Sequence, residues 1–154
     1  MSITLAQICD AIETTLAAAT TLSTTSARTQ SYDELTEGIQ DVPLLQVYPE
    51  SGSQSPPGMT DRHTFGGAGN PVRQTEFLIH ADYYARQRSH IGEDMAALVD
   101  GIDAIQNILE AQDKKPYFGL TYLQAFAWTW SRVIFNYGGV DYMGARFVLT
   151  VRVF

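Results

Sequence analysis

AFAWTWSRVIFNYGGVDYMGARFVLTVRVF, residues 125–154, is the stretch whose reading decides the fold. Its centre, Gly138-Gly139, supplies two positions that tolerate positive φ, as a two-residue hairpin loop requires. With that turn Tyr137 pairs with Val140, and because strand side chains alternate, the whole register behind it follows. One face then collects Phe126, Trp128, Trp130 and Ile134, opposite Val151, Leu149, Phe147 and Met143. The other face is mixed: Ala127, Thr129 and Ser131 lie there with Arg146, Val148 and Thr150. Near the turn that second face becomes apolar, at Val133, Phe135, Tyr137, Val140 and Tyr142. The two strands agree on which side is greasy, so the segment reads as a long β-hairpin with one face to be covered, most cheaply by helices.

Working outward, the preceding segment carries the covering helix. Ile91, Met95, Leu98, Ile102, Ile105 and Leu109 recur at helical spacing behind a capping Ser89, and Lys114, Lys115 and Pro116 mark the end. Its back is acidic, with Glu93, Asp94, Asp100, Asp103 and Glu110, which reads as a solvated side. Gly101 inside the stripe points to a close approach to the sheet or to another subunit. This helix is expected to cover the Trp128 and Trp130 face, with both tryptophans in the core rather than serving as an aromatic anchor. A second helix is predicted at the N-terminus, where Thr4 and Gln7 form a capping box, Ile3 and Ile8 a hydrophobic staple, and Leu5, Ile8, Cys9, Ile12 and Leu16 an apolar stripe.

Between the helices the pattern alternates. Thr20 to Gln30 reads as loop or edge strand. Ser31 and Glu34 make a second capping box for a short turn over Tyr32 to Glu37, stopped by Gly38. Val42 to Tyr48 is a short strand closed by Pro49, and Val72 to Tyr84 a longer one. Ser51 to Asn70, with Pro56-Pro57-Gly58 and Gly66-Gly67-Ala68-Gly69, reads as a projecting loop, too long to be an ordinary connection. The fold class that results is α+β, one domain over residues 1–154, with a mainly antiparallel sheet and helices packed on one face.

The chain has 154 residues, 45% hydrophobic and 18% charged, with a formal net charge of −7. That length suffices for a single core. The acidic balance argues against gripping nucleic-acid phosphates. No apolar run approaches the ~20 residues of a membrane span. Met1 to Leu16 lacks a basic n-region, so it is expected to be mature protein made and kept in a cytoplasm. The single Cys9 reads as a small buried hydrophobe.

Catalytic and metal patterns are absent from the sequence. There is no Gly-x-Ser-x-Gly elbow. Gly66-Gly67-Ala68-Gly69 precedes Pro71 and a strand rather than the helix a phosphate loop must open. His63, His80 and His90 lack zinc spacing, and His80 with Asp82 reads as a solvated polar strand face. No catalytic residue, cofactor or metal is expected. The feature left over is the hairpin-tip cluster on an otherwise polar face. Val133, Phe135, Tyr137, Val140 and Tyr142, with Arg132 beside them and His63 and Phe65 in the long loop, are the candidate interface.

The order of parts, namely an N-terminal helix, the strand Pro43 to Pro49, a long Gly/Pro loop, a strand, one long acidic helix over Glu93 to Glu110, and a final aromatic hairpin ending at Arg146 to Phe154, resembles the tail terminator (tail completion) proteins of long-tailed bacteriophages. The resemblance implies a structural virion protein, not an enzyme, assembled in the host cytoplasm and placed at the tail-neck junction. It implies a homo-oligomeric ring, commonly a hexamer, that sits on the last ring of tail tube protein, ends tube growth and meets the head-closure or connector protein. DNA would pass through the ring without specific binding. The alternatives are another neck component, or a small acidic ligand-binding domain or enzyme with a pocket under the 51–70 loop.

Overall fold

The computed structural model describes residues 4–19, 24–27, 43–54, 75–87, 91–137 and 140–153. Two helices, α1 (Leu5–Leu16) and α2 (Ile91–Glu110), pack on one face of a five-stranded sheet. The strands are β1 (Thr24–Ala27), β2 (Leu44–Gln54), β3 (Thr75–Gln87), β4 (Leu123–Tyr137) and β5 (Val140–Val153), in spatial order β1-β2-β3-β5-β4. All neighbours run antiparallel except β1, which is parallel to β2. The α+β class and the helices on one face are therefore as the sequence predicts.

The hairpin has the expected register, with Tyr137 opposite Val140, Trp130 opposite Phe147 and Phe126 opposite Val151. Alternation settles which side of β5 is interior. Met143, Ala145, Phe147, Leu149 and Val151 are all buried and join Ile79, Ala81 and Tyr83 of β3 and Leu45 and Val47 of β2 in one core. Onto it α1 lowers Ile8, Cys9, Ile12 and Leu16, and α2 lowers Leu98, Ile102, Ile105 and Leu109. The α1 start is the predicted capping box: Gln7 N donates to Thr4 Oγ1 at 3.2 Å, and Thr4 N donates to Gln7 Oε1 at 2.9 Å. Gly101 has the close approach expected of it, and to the sheet. A Cβ there would overlap the Tyr83 phenol, itself buried.

Pro49 does not close its strand. β2 continues to Gln54, paired with Thr75 to Ile79, with a bulge between Pro49 and Ser51 that takes up the irregularity. β1 covers only Leu44 to Val47, so among the described residues the outer side of β2 beyond Val47 has no strand neighbour, and a proline without an N–H is tolerated on such an edge. The strand therefore takes Ser51 to Gln54 from the expected loop. The rest of that loop, and the turn expected over Tyr32 to Glu37, lie outside the described residues. So do Ile3 of the staple and the Ser89 cap. The Thr20 to Gln30 segment contributes the edge strand β1.

A feature the sequence reading did not anticipate follows α2. Tyr117–Gly119 forms a 3₁₀ turn in which Phe118 takes φ 53, a left-handed conformation costly for a bulky residue. Phe118 N donates to Gln112 Oε1 at 2.8 Å, and the Tyr117 and Phe118 rings both meet Phe126 edge-on at 5.1 Å. This turn covers the Phe126 end of β4.

Candidate functional site: the β4 edge and the polar face

Among the described residues the helix layer stops short of β4. α1 lies over β1 and β2, α2 over β3 and β5, and among the described helical segments only the 3₁₀ turn packs substantially on β4. Along the core-side positions of β4 burial therefore fades. Phe126 and Trp128 are half-buried against the core, whereas Trp130 is 42% and Ile134 50% exposed, with Arg132 exposed between them. The expectation that α2 covers both tryptophans is corrected here. Trp130 has the right parity for the core but lies on the last strand, beyond the reach of the helices. Among the described residues β4 pairs with β5 alone, so its other side offers a row of backbone donors and acceptors along a 15-residue strand.

The opposite face of the sheet is not the solvated surface read from sequence. Asp82 is 2% exposed at the centre of a polar cluster. Arg146 Nε donates to Asp82 Oδ1 at 2.8 Å and Nη2 to Oδ2 at 3.1 Å, while the Tyr48 hydroxyl donates to Oδ2 at 2.6 Å. Register brings them together: Asp82 and Arg146 are direct partners across β3 and β5, and Tyr48 stands opposite His80 one step along. Arg146 Nη2 also reaches Tyr48 Oη at 3.3 Å. His80 Nδ1 lies 3.3 Å from that hydroxyl and 3.7 Å from Glu50 Oε2, its ring edge-on to Tyr48.

The electrostatics make this cluster a clamp. Burial, then the bond to Asp82, raises the Tyr48 phenol above its ordinary range, so it stays protonated. The Asp82 hydrogen bond likewise holds the Arg146 guanidinium more firmly charged. Three charge-assisted donors occupy the carboxylate, which ties β2, β3 and β5 in register. Sequence reading missed Tyr48 and Arg146 as its members. The available signal was an Asp, an Arg and a Tyr at matching strand parity, interpretable only once strand neighbours are known.

The candidate interface residues separate. Tyr142 is 3% exposed, so as an accessible contact it is corrected: the subunit itself buries it. Phe135 is half-buried, its ring 4.2 Å from that of Tyr84 and 5.8 Å from the Arg146 guanidinium carbon. Gly144 permits this, since a Cβ there would meet the Phe135 ring and the Tyr83 carbonyl. Val133 is half-buried and Arg132 exposed. Tyr137 and Val140 pair across the turn. Their side chains, and His63 and Phe65 altogether, lie outside the described residues. The large exposed apolar groups on the described part of the hairpin are Trp130 and Ile134, both on the core-side face.

On the back of α2, Asp100, Asp103 and Glu110 are exposed, as a solvated side should be. Among the described residues no three His, Cys, Asp or Glu side chains gather as a metal site, and no helix is long and apolar enough to cross a membrane. Comparison with protein-family models and with curated proteins finds no match.

Proposed function

We propose that the protein is a structural virion subunit that assembles into a ring on the end of a phage tail tube, stops tube growth and joins the tail to the head connector. The observation that carries this reading is the β4 edge. Proteins that remain monomeric guard a long edge strand with lysine, proline or shortness, because an open flat apolar edge invites pairing. β4 has 15 residues, no lysine and no proline, and it exposes Trp130 and Ile134. Such an edge suits a protein whose work is assembly.

Two further features support the reading. The order of elements is the one that prompts the resemblance to tail terminators, and a net charge of −7 per subunit suits a channel through which DNA slides without sticking. The polar cluster at Asp82 fits a scaffold better than an enzyme, since its donors and acceptors are spent on one another. The test adds purified protein to polymerising tail tube protein and measures tube length and tube ends by negative-stain electron microscopy. Tubes of limited length bearing a terminal ring are expected. Unlimited growth with bare ends would overturn the proposal, and binding to the connector alone would move the protein to another place in the neck.

A further inference from the structure

β4 complements itself when read backwards. Its core-side positions are Phe126, Trp128, Trp130, Arg132 and Ile134, with Trp130 in the middle. Two copies of the strand paired antiparallel about a two-fold axis at Trp130 set that tryptophan against its twin. Each Trp128 then faces the Arg132 of the other copy, and each Phe126 the other Ile134. All these pairs are favourable: aromatic on aromatic, cation on indole, aromatic on aliphatic. The opposite face agrees, since Thr129 meets Ser131 and Ala127 meets Val133, hydroxyl against hydroxyl and small against larger. Arg132 is the sole charged residue in the sequence from Ala125 to Phe135.

The groups that would meet are accessible. Ala127, Thr129, Ser131 and Arg132 are exposed, as are Trp130 and Ile134. Among the described residues Arg132 has no ion-pair partner. Other registers pair less well, and they differ in steps that keep facing residues on one side of the sheet. An axis at Arg132 puts the two guanidinium groups face to face, and one at Ser131 makes them diagonal neighbours. An axis at Thr129 sets Ile134 against Gln124, within the irregularity of β4 between Leu123 and Ala125. We infer that β4 pairs antiparallel with the β4 of a second copy about a two-fold axis at Trp130, so that one sheet runs through both subunits with their uncovered strands at its middle. The contact rests on the assembly reading for the use of this edge and goes beyond it in naming the occupant. It is isologous and closes on itself, so it builds pairs, and a ring made of such pairs uses a second surface as well.

Cysteine pairs test the register. Residues directly opposite in an antiparallel ladder have Cα atoms about 4.5–5.5 Å apart, within the span of a disulfide. Trp130→Cys should therefore cross-link to itself in oxidised glutathione and give a covalent dimer on a non-reducing gel. Ile134→Cys should not, because its two copies lie eight positions, about 27 Å, apart along the strands. Ala127→Cys and Val133→Cys should each stay single alone and cross-link when mixed one to one. The wild type, whose Cys9 is buried, is the control and should not cross-link. Without oxidant the wild type should have the mass of a pair, or of an even multiple, by light scattering. Trp130→Glu, which opposes two carboxylates at the axis, should be a monomer with unchanged far-ultraviolet circular dichroism. Arg132→Gln should weaken the pair by about five- to thirtyfold through loss of two cation–π contacts. A monomeric wild type, a Trp130→Cys protein that does not cross-link to itself, or a mixture of Ala127→Cys and Val133→Cys no more cross-linked than either alone would overturn the inference. Cross-linked pairs from a protein that never stops tube growth would leave the contact standing and remove the tail reading. Capped tubes whose Trp130→Cys subunits stay single would do the reverse.

Discussion

Replacing Arg146 by methionine removes the cation from a carboxylate that has almost no access to water. The Asp82 side chain is 3% exposed and that of Arg146 35%, so the two partners are not equally costly to orphan. Without Arg146, Asp82 keeps the Tyr48 hydroxyl and loses two of its three donors. An uncompensated buried charge of this kind costs about 3–5 kcal/mol. Asp82→Asn leaves a neutral amide in the buried position and a guanidinium that can turn to solvent, so about 1–2 kcal/mol is expected, the scale of hydrogen bonds lost at a partly exposed group. Removing both, Asp82→Leu with Arg146→Met, should be less damaging than Arg146→Met alone, because no charge is then left buried. Urea unfolding at pH 7, followed by tryptophan fluorescence and circular dichroism, measures all three. With a denaturant slope of about 2 kcal/mol per molar, Arg146→Met should lower the midpoint by roughly 2 M. Equal losses for Arg146→Met and Asp82→Asn, or a double variant worse than Arg146→Met, would refute the reasoning that burial of the carboxylate sets the cost.

Gly101→Ala should destabilise by about 1–3 kcal/mol in thermal melts despite the better helix propensity of alanine, since the new Cβ overlaps the immobile Tyr83 phenol; a more stable variant would show that α2 can lift from the sheet. Thr4→Ala removes the acceptor for Gln7 N and should cost about 1 kcal/mol by urea titration, with fraying confined to the first turn of α1 in amide exchange. Tyr48 gives a pH dependence of defined sign. Its phenol is raised above the ordinary value of 10.0 and its neutral form is the one the fold favours, so its contribution is complete below about pH 10 and falls as pH rises beyond that through the raised value. Tyr48→Phe should lose stability at neutral pH and show a shallower alkaline decline, measured by urea midpoints from pH 8 upward.

The sequence by itself determined the local pieces. Gly138-Gly139 and strict alternation determined the hairpin register down to Tyr137 and Val140, because a turn and a period of two leave no freedom. Thr4 and Gln7 marked the start of α1, and the Met95 to Leu109 spacing marked the buried stripe of α2, since capping and helical periodicity are local. Tertiary structure alone decided the order of strands, and with it everything that depends on neighbours. Trp130 and Phe147 share a face and a cross-strand pair, yet one is exposed and the other fully buried, because β5 lies under α2 and β4 is last in the sheet. Asp82 and Arg146 are 64 residues apart in the chain, and the sequence reads the first as part of a solvated polar face and the second as one position of a mixed face. Only the adjacency of β3 and β5 turned them into a buried ion pair, and only the position of β4 beyond the described helices left Trp130 and Ile134 accessible on the core-side face. Periodicity states which residues share a side; coverage of that side is a property of the assembled layers.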